Sequence, residues 1–357
     1  MKTAAGEEEG ALMRRSVKGL LFGGWEEKAA AAATIRDFAK ADAGRRRALA
    51  ELGVVPPLVF MIVEAAEDGR RRLALEALLE LANGSFTNRV LMVEAGLLTN
   101  LPKLMKTTSK QELALLLLSI SSLAKTHFPV DLRPIVSLLL SILTATNPPA
   151  GDDALLACTA ALHNLSLKLD NTKSIVSSGT VHVLVKLCIN SRTAEEALAA
   201  LGNIVLSEVG KKAIEDEPIV PEVFVEILER SEEPKCQELA AYLLMVLARR
   251  SPARRQRMLE AGIVPVLLEL VLLGSSIARQ RALRMIQWFK EERQIWGDGR
   301  VLDEDEGEMK QCRRAVRRMV RESLDKNMDC MLKRGNESSS SFMKAIGVSS
   351  SSKSLPY

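Results

Sequence analysis

Two asparagines, Asn164 and Asn203, stand 39 residues apart, each one position before a large aliphatic residue, Leu165 and Ile204. A carboxamide donates and accepts at once, so a row of such groups could hold the repeating amides of an extended backbone. Losing one such buried bond costs about 1–3 kcal/mol. The same two amides could instead bridge adjacent helices or meet water, and both roles stay open in the sequence.

A second chemical signal lies near the C-terminus. Met309, Cys312, Val316, Val320, Leu324, Met328 and Met331 step by three or four, which makes one apolar stripe of a helix expected over 309–334. Lys310, Arg313, Arg314, Arg317, Arg318 and Arg321 flank it. Such a helix could cap a stack of helices, meet an acidic membrane surface or a calmodulin-type cleft, or carry a nuclear-localisation signal.

Catalytic patterns are missing. His127, His163 and His182 are scattered, with no carboxylate or cysteine at motif spacing, and a lone helical histidine is usually structural. No G-x-S-x-G, phosphate-binding loop, G-x-G-x-x-G or H-E-x-x-H occurs. Cys158, Cys188, Cys236, Cys312 and Cys330 form no C-x-x-C pair, so neither a disulfide framework nor a zinc site is expected. The reading is a non-enzyme with no cofactor, no metal and no small-molecule substrate.

These residues must be positioned by a repeating frame. Phe38, Leu81, Leu123, Leu165, Ile204, Leu247 and Ile286 each follow an alanine-rich helical segment, at spacings of 43, 42, 42, 39, 43 and 39 residues. A fixed period of roughly 41 residues marks a stack of units, each needing its neighbour to bury an apolar face. A second signal recurs within the period, a glycine followed by an apolar run: Gly53-Val54-Val55-Pro56-Pro57, Gly96-Leu97-Leu98, Gly179-Thr180-Val181 and Gly262-Ile263-Val264-Pro265. Glycine ends one helix in the left-handed conformation, and a proline shortly after suits the first turn of the next. The unit is a short helix, a sharp bend, a second helix, a loop and a third helix. Around Pro129 to Pro134 the glycine is missing, which predicts a distorted bend without a domain boundary. Asp152 or Asp153 is expected to cap the helix that follows.

Composition agrees. Hydrophobic residues make up 47% and aromatics only 4%, which suits a Leu/Ala/Val core at helical spacing better than a sandwich or barrel. The net charge of +4 is too balanced to imply nucleic acid, and Arg45 to Arg47, Arg70 to Arg72, Arg249-Arg250 and Arg254-Arg255 lack interleaved aromatics. The greasiest runs, 113–118 and 135–143, are too short to cross a bilayer, which takes about 20 apolar residues. No secretory signal is apparent, so a reduced cytoplasmic or nuclear setting is expected.

Ala160-Ala161-Leu162-His163-Asn164-Leu165-Ser166, Ala197-Leu198-Ala199-Ala200-Leu201-Gly202-Asn203-Ile204 and Glu260-Ala261-Gly262-Ile263-Val264-Pro265 resemble the armadillo repeat, a three-helix module. Glu27-Lys28-Ala29-Ala30 and Leu52-Gly53-Val54-Val55-Pro56-Pro57 are similar to the repeats of plant U-box ubiquitin ligases. The resemblance implies an all-α, right-handed solenoid of about six to seven repeats over 26–295. A flexible segment over 1–25, an acidic linker over 296–308, the basic amphipathic helix over 309–334 and a serine-rich disordered tail over 335–357 complete the expected organisation.

The resemblance also implies that third helices line a concave groove, with the residue before each large aliphatic position facing a bound peptide. By that register Glu80, Asn164 and Asn203, with Glu76, Tyr242 and Arg281 in the row four residues earlier on the same face, are the candidate partner-binding residues, and a ligand would set basic residues against Glu76 and Glu80. Importin-α relatives carry a groove tryptophan where this chain has Ala160 and Ala199, which argues against an import receptor. Only about 25 residues precede Glu26, so a U-box with its E2-docking surface is not expected within this chain. The function expected is a protein-interaction scaffold holding an extended peptide or partner protein. The alternatives are a substrate-recruiting component of ubiquitin ligation, and membrane or calmodulin-type recruitment through the basic helix.

Overall fold

The computed structural model describes residues 2–123, 131–145, 151–249 and 251–297. Among the described residues are nineteen α-helices, one 3-10 turn at Leu169–Asn171 and no strand. Third helices are α2 (Trp25–Ala41), α5 (Asp68–Ala82), α8 (Lys110–Ser121), α10 (Asp152–Ser166), α13 (Ser191–Ile204), α16 (Pro234–Ala248) and α19 (Ser276–Gly297). Second helices are α4 (Val55–Glu64), α7 (Leu101–Thr107), α9 (Arg133–Leu143), α12 (Thr180–Leu187), α15 (Val220–Leu228) and α18 (Ile263–Leu273). The described first helices are α3 (Ala43–Glu51), α6 (Phe86–Glu94), α11 (Thr172–Ser177), α14 (Glu208–Glu215) and α17 (Pro252–Glu260).

The punctuation follows the sequence. Gly53, Gly96, Gly179 and Gly262 all have φ between 76° and 84°, the left-handed turn an L side chain would strain. Pro56, Pro102, Pro134 and Pro221 sit in the first turn of second helices, where no amide proton is needed. Ser85, Ser207 and Ser251 cap first helices by accepting from the amides of Asn88, Gly210 and Arg254. Asp152 and Asp153 are not caps: Gly151 takes that place, and the two carboxylates lie in the first turn of α10, paired with Arg192.

Third helices stack directly on one another from α2 to α19, and one apolar cluster runs unbroken through every unit. The missing glycine near Pro129 therefore marks no domain boundary, although residues 124–130 of that bend lie outside the described residues. Leu81, Leu165, Ile204 and Leu247 are almost completely buried. Each such side chain contributes about 1.5–3 kcal/mol by leaving water.

Two of the seven large aliphatic positions were misplaced. Helix α8 ends at Ser121, and Leu123 is buried in the turn beyond it; Ile120 holds the equivalent place in the stack. In α19 the buried residues are Ala278, Ala282, Met285 and Phe289, so Met285 is fully buried where Ile286 is only half-buried against the same core. The N-terminal expectation also changes. Residues 2–22 form a helix, α1 (Lys2–Phe22), that packs on α2 and touches α4, with Val17 and Leu20 in the shared core. It fills the second-helix place ahead of α2 and covers that helix's apolar side.

Candidate functional site

Aligning the third helices on Phe38, Leu81, Ile120, Leu165, Ile204, Leu247 and Met285 gives one row of residues that faces away from the core. Asp37, Glu80, Ser119, Asn164, Asn203, Val246 and Arg284 precede the aligned positions, and none is buried. Four residues earlier, on the same helix face, come Ala33, Glu76, Leu115, Ala160, Ala199, Tyr242 and Gln280, again none buried. The register shift in α19 puts Arg284 in the row in place of Met285, and Gln280 in place of Arg281.

In the middle of this face the two asparagines bridge neighbouring units. The Asn164 carboxamide N–H donates to Ser121 Oγ at 3.0 Å, and the Asn203 N–H donates to Ser166 Oγ at 2.9 Å. Each serine hydroxyl in turn donates to a carbonyl of its own helix, Leu118 at 2.7 Å and His163 at 2.6 Å. The bridging role is thus real, and it leaves each carboxamide one N–H and its oxygen for a ligand. Ala160 and Ala199 beside them keep the surface low.

The early end is closed by its own charges. Arg36 donates to Glu76 at 2.7 Å and to Asp37 at 3.0 and 2.9 Å, and Arg72 donates to Glu76 at 3.0 Å. Hydrogen bonds from Arg36 first, then Arg72, hold the Glu76 carboxyl below the ordinary carboxylate range against some desolvation. Glu76 is therefore already paired with two cations of the chain, a pairing the expectation of basic ligand residues there did not include. Glu80 has no ion pair among the described residues.

The late end is open. A cleft of about 880 Å³ is lined by the end of α13, by α14, α16 and α19. Its walls carry Lys211, Arg249 and Arg284 with Tyr242 and Trp288, and no lining residue is acidic. Lys211 lies 3.8 Å from Glu215, and Gln287 donates to Glu291 at 3.0 Å, so two carboxylates stand at the rim. Arg249 and Arg284 are exposed and have no carboxylate partner among the described residues. Arg281 stacks over the Tyr242 ring at 5.3 Å while donating to the Glu238 carbonyl at 2.6 Å. It fixes the ring and has little left for a partner.

The other arginine clusters serve the frame. Arg46, Arg89 and Arg255 donate to the carbonyls of Ala39, Ala82 and Ala248, closing third-helix ends. Sequence reasoning missed the site role of Arg249, Lys211, Arg284 and Trp288, because their convergence comes from three separate helices, α14, α16 and α19. His163 and His182 meet Glu196 and Glu217 of the next unit, while His127 lies outside the described residues. Among the described residues no group of side chains could hold a metal ion, and no helix is long and apolar enough to cross a membrane. Lys310, Arg313, Arg314, Arg317, Arg318 and Arg321, with the acidic linker and serine-rich tail, also fall outside them.

Comparison with known proteins agrees with this architecture. Residues 16–295 match the family described as the plant U-box protein ARM repeat region. U-box domain-containing protein 45 of Arabidopsis thaliana is 28% identical over 267 residues, 73% of this chain and 34% of that protein. The chain thus spans about a third of the length of that relative. A crystal structure of an engineered protein is 27% identical, with a TM-score of 0.64 over 77% of this chain and 67% of its own. A crystal structure of computationally designed armadillo repeat proteins for modular peptide recognition is 19% identical, with a TM-score of 0.44 over 77% of this chain and 98% of its own.

Proposed function

Because this chain belongs to the plant U-box protein armadillo-repeat family, we propose that it is a binding scaffold whose third-helix face holds an extended segment of a partner protein. The observation that carries this reading is the row of unburied third-helix residues, in which Asn164 and Asn203 keep amide functions free after bridging their neighbours. An extended peptide presents an unpaired backbone amide about every 3.3 Å, so carboxamides fixed on a rigid stack can hold it without reading its side chains. Rigidity matters, because each bridged asparagine has already lost its rotamer freedom before the ligand arrives.

The test is a selection of extended peptides from a displayed random library against the full chain. Selected peptides should lose about tenfold in affinity with Asn164→Ala and Asn203→Ala combined. They should also cross-link to a photoreactive residue placed at Ala199 and not to one at Lys106, which is exposed on the second helix α7. Cross-linking from Lys106 alone would move the site off this face and end the reading.

A second reading is substrate recruitment for ubiquitin ligation. It is favoured by the likeness to U-box domain-containing protein 45. The two differ in consequence: recruitment requires that a protein bound on the third-helix face be ubiquitinated when this chain is supplied with a ligase, and a plain scaffold does not.

A further inference from the structure

The geometry points to an acidic peptide as the occupant of the late end of the groove, seated in the cleft between α13, α16 and α19 with its carboxylates against Arg249, Arg284 and Lys211. This rests on the groove reading above and adds the chemistry of the ligand. Three observations carry it. No residue lining the cleft is acidic, while three are cationic. Arg249 and Arg284 are exposed without a carboxylate partner among the described residues, whereas the arginines facing the early end, Arg36 and Arg72, are both paired with carboxylates. Tyr242, Met245, Val246 and Trp288 supply an apolar wall between the cations.

The spacing of these groups explains why a peptide fits better than a single small anion. Arg249 follows α16 and Arg284 lies on α19, one unit further, so the two charges belong to successive repeats. A peptide running across the third helices meets both and lays its side chains along the wall they share. Arginine is suited to the task, since its planar guanidinium pairs a carboxylate through two parallel N–H bonds. The aromatic walls favour an apolar side chain between the acidic ones, because Trp288 and Tyr242 present large surface with few rotors to order. Arg281, held by the Glu238 carbonyl and stacked on Tyr242, keeps that ring in place and adds positive potential without making the ion pair itself.

The cleft also distinguishes Lys211 from its counterparts. Arg46, Arg89 and Arg255, at the same place in their first helices, are used to close the ends of α2, α5 and α16. Lysine at 211 makes only the long pair with Glu215 and lines the cleft.

The experiment uses the full chain and a short fluorescein-labelled peptide of glutamates flanking one leucine, read by fluorescence polarisation. Analogues with every glutamate replaced by glutamine or by lysine serve as controls. The glutamate probe should bind at least tenfold more tightly than either analogue, and binding should weaken as salt rises. Arg249→Glu with Arg284→Glu should cost about tenfold or more, while Lys106→Glu, on the second helix α7, should cost little. Unchanged melting temperatures show that both variants fold.

Preference for the lysine analogue, or indifference to the Arg249/Arg284 pair, overturns the acidic assignment. If library-selected peptides still depend on Asn164 and Asn203 in that case, the groove reading survives; if no peptide binds, both fail. A probe that binds only after Asp303, Glu304, Asp305 and Glu306 are changed to amides overturns a separate partner and gives the cleft to this chain's own acidic run. Tighter binding of single-stranded RNA than of peptide, lost with the same substitutions, overturns the peptide assignment.

Discussion

The two ends of the third-helix face are built from the same fold and differ in how their arginines are used, although Glu80 at the early end also has no ion pair among the described residues. At the early end Asp37 and Glu76 are neutralised by Arg36 and Arg72 within the repeats, and Arg70 and Arg71 are tied to Glu26, Glu67 and Asp68. At the late end Arg249 and Arg284 have no carboxylate partner among the described residues and stand beside an aromatic wall. Net charge is similar in kind to what composition suggests, yet availability differs. A charge that already has a fixed partner contributes to stability, while an unpaired one is available for recognition.

The largest effect that would break this contrast comes from the packing beneath the late end. A Cβ on Gly210 would sit 2.0 Å from the Ile204 carbonyl oxygen, whereas one on Gly202 would make ordinary contact with the Tyr242 ring at 3.9 Å. Gly210→Ala should therefore cost about 1–3 kcal/mol, push α14 from the end of α13 and carry Lys211 out of the cleft. Gly202→Ala should cost well under 1 kcal/mol, and removing a helix-interior glycine offsets part of that. Denaturant unfolding of both variants checks the pair, and equal losses would mean that the tight approach at Gly210 is relaxed.

Next in size is a charge exchange between the ends. Glu76→Lys leaves Arg36 and Arg72 without their shared partner and should lower stability by about 1 kcal/mol or more. Arg284→Glu, whose native side chain has no partner, should leave the melting temperature unchanged within about a degree and change ligand binding instead. If Arg284→Glu destabilised the fold as much as Glu76→Lys, the distinction between structural and free charges would collapse.

A pH titration sharpens the early end. The Glu76 carboxyl lies below its ordinary value of 4.5 when folded, because Arg36 and Arg72 favour the ionised form. Its contribution is complete above that ordinary value and is lost as pH falls through the lower native one. The stability gap between the native chain and Glu76→Gln should be constant near neutrality and close in acid. A gap that persists at low pH would assign the effect to packing.

The smallest effect concerns the thiols. Burial pushes Cys158 up to about 12 and Cys236 up to about 11, so neither forms thiolate near neutral pH while folded. Site-resolved alkylation followed by mass spectrometry should find both slow in the native chain. In Gly210→Ala, Cys236 should become faster than Cys158, because the disturbance lies at the late end.

Much of the frame was legible in the chain itself. The period, the glycine bends, the prolines of the second helices and the unbroken core all follow from local rules, since the units share one pattern of burial and four of them share a left-handed glycine turn before the second helix. Two positions misled that logic. Leu123 is aliphatic and buried but lies past the end of α8, and Ile286 is a residue out of step with Met285. A period that varies from unit to unit cannot fix register to one residue. The N-terminal segment looked too polar to fold alone, yet Val17 and Leu20 suffice when α2 offers an apolar face.

Sequence alone determined that this protein is an all-α stack of three-helix repeats and that Asn164 and Asn203 stand on corresponding faces. Only the tertiary structure decided which charges are free. Arg36 meets Glu76 across 40 residues, while Arg249 at the end of α16 converges with Arg284 and Trp288 of α19. Helical periodicity places a side chain on a face, but pairing depends on distances of about 3–4 Å between units, and those are set by how the stack closes on itself.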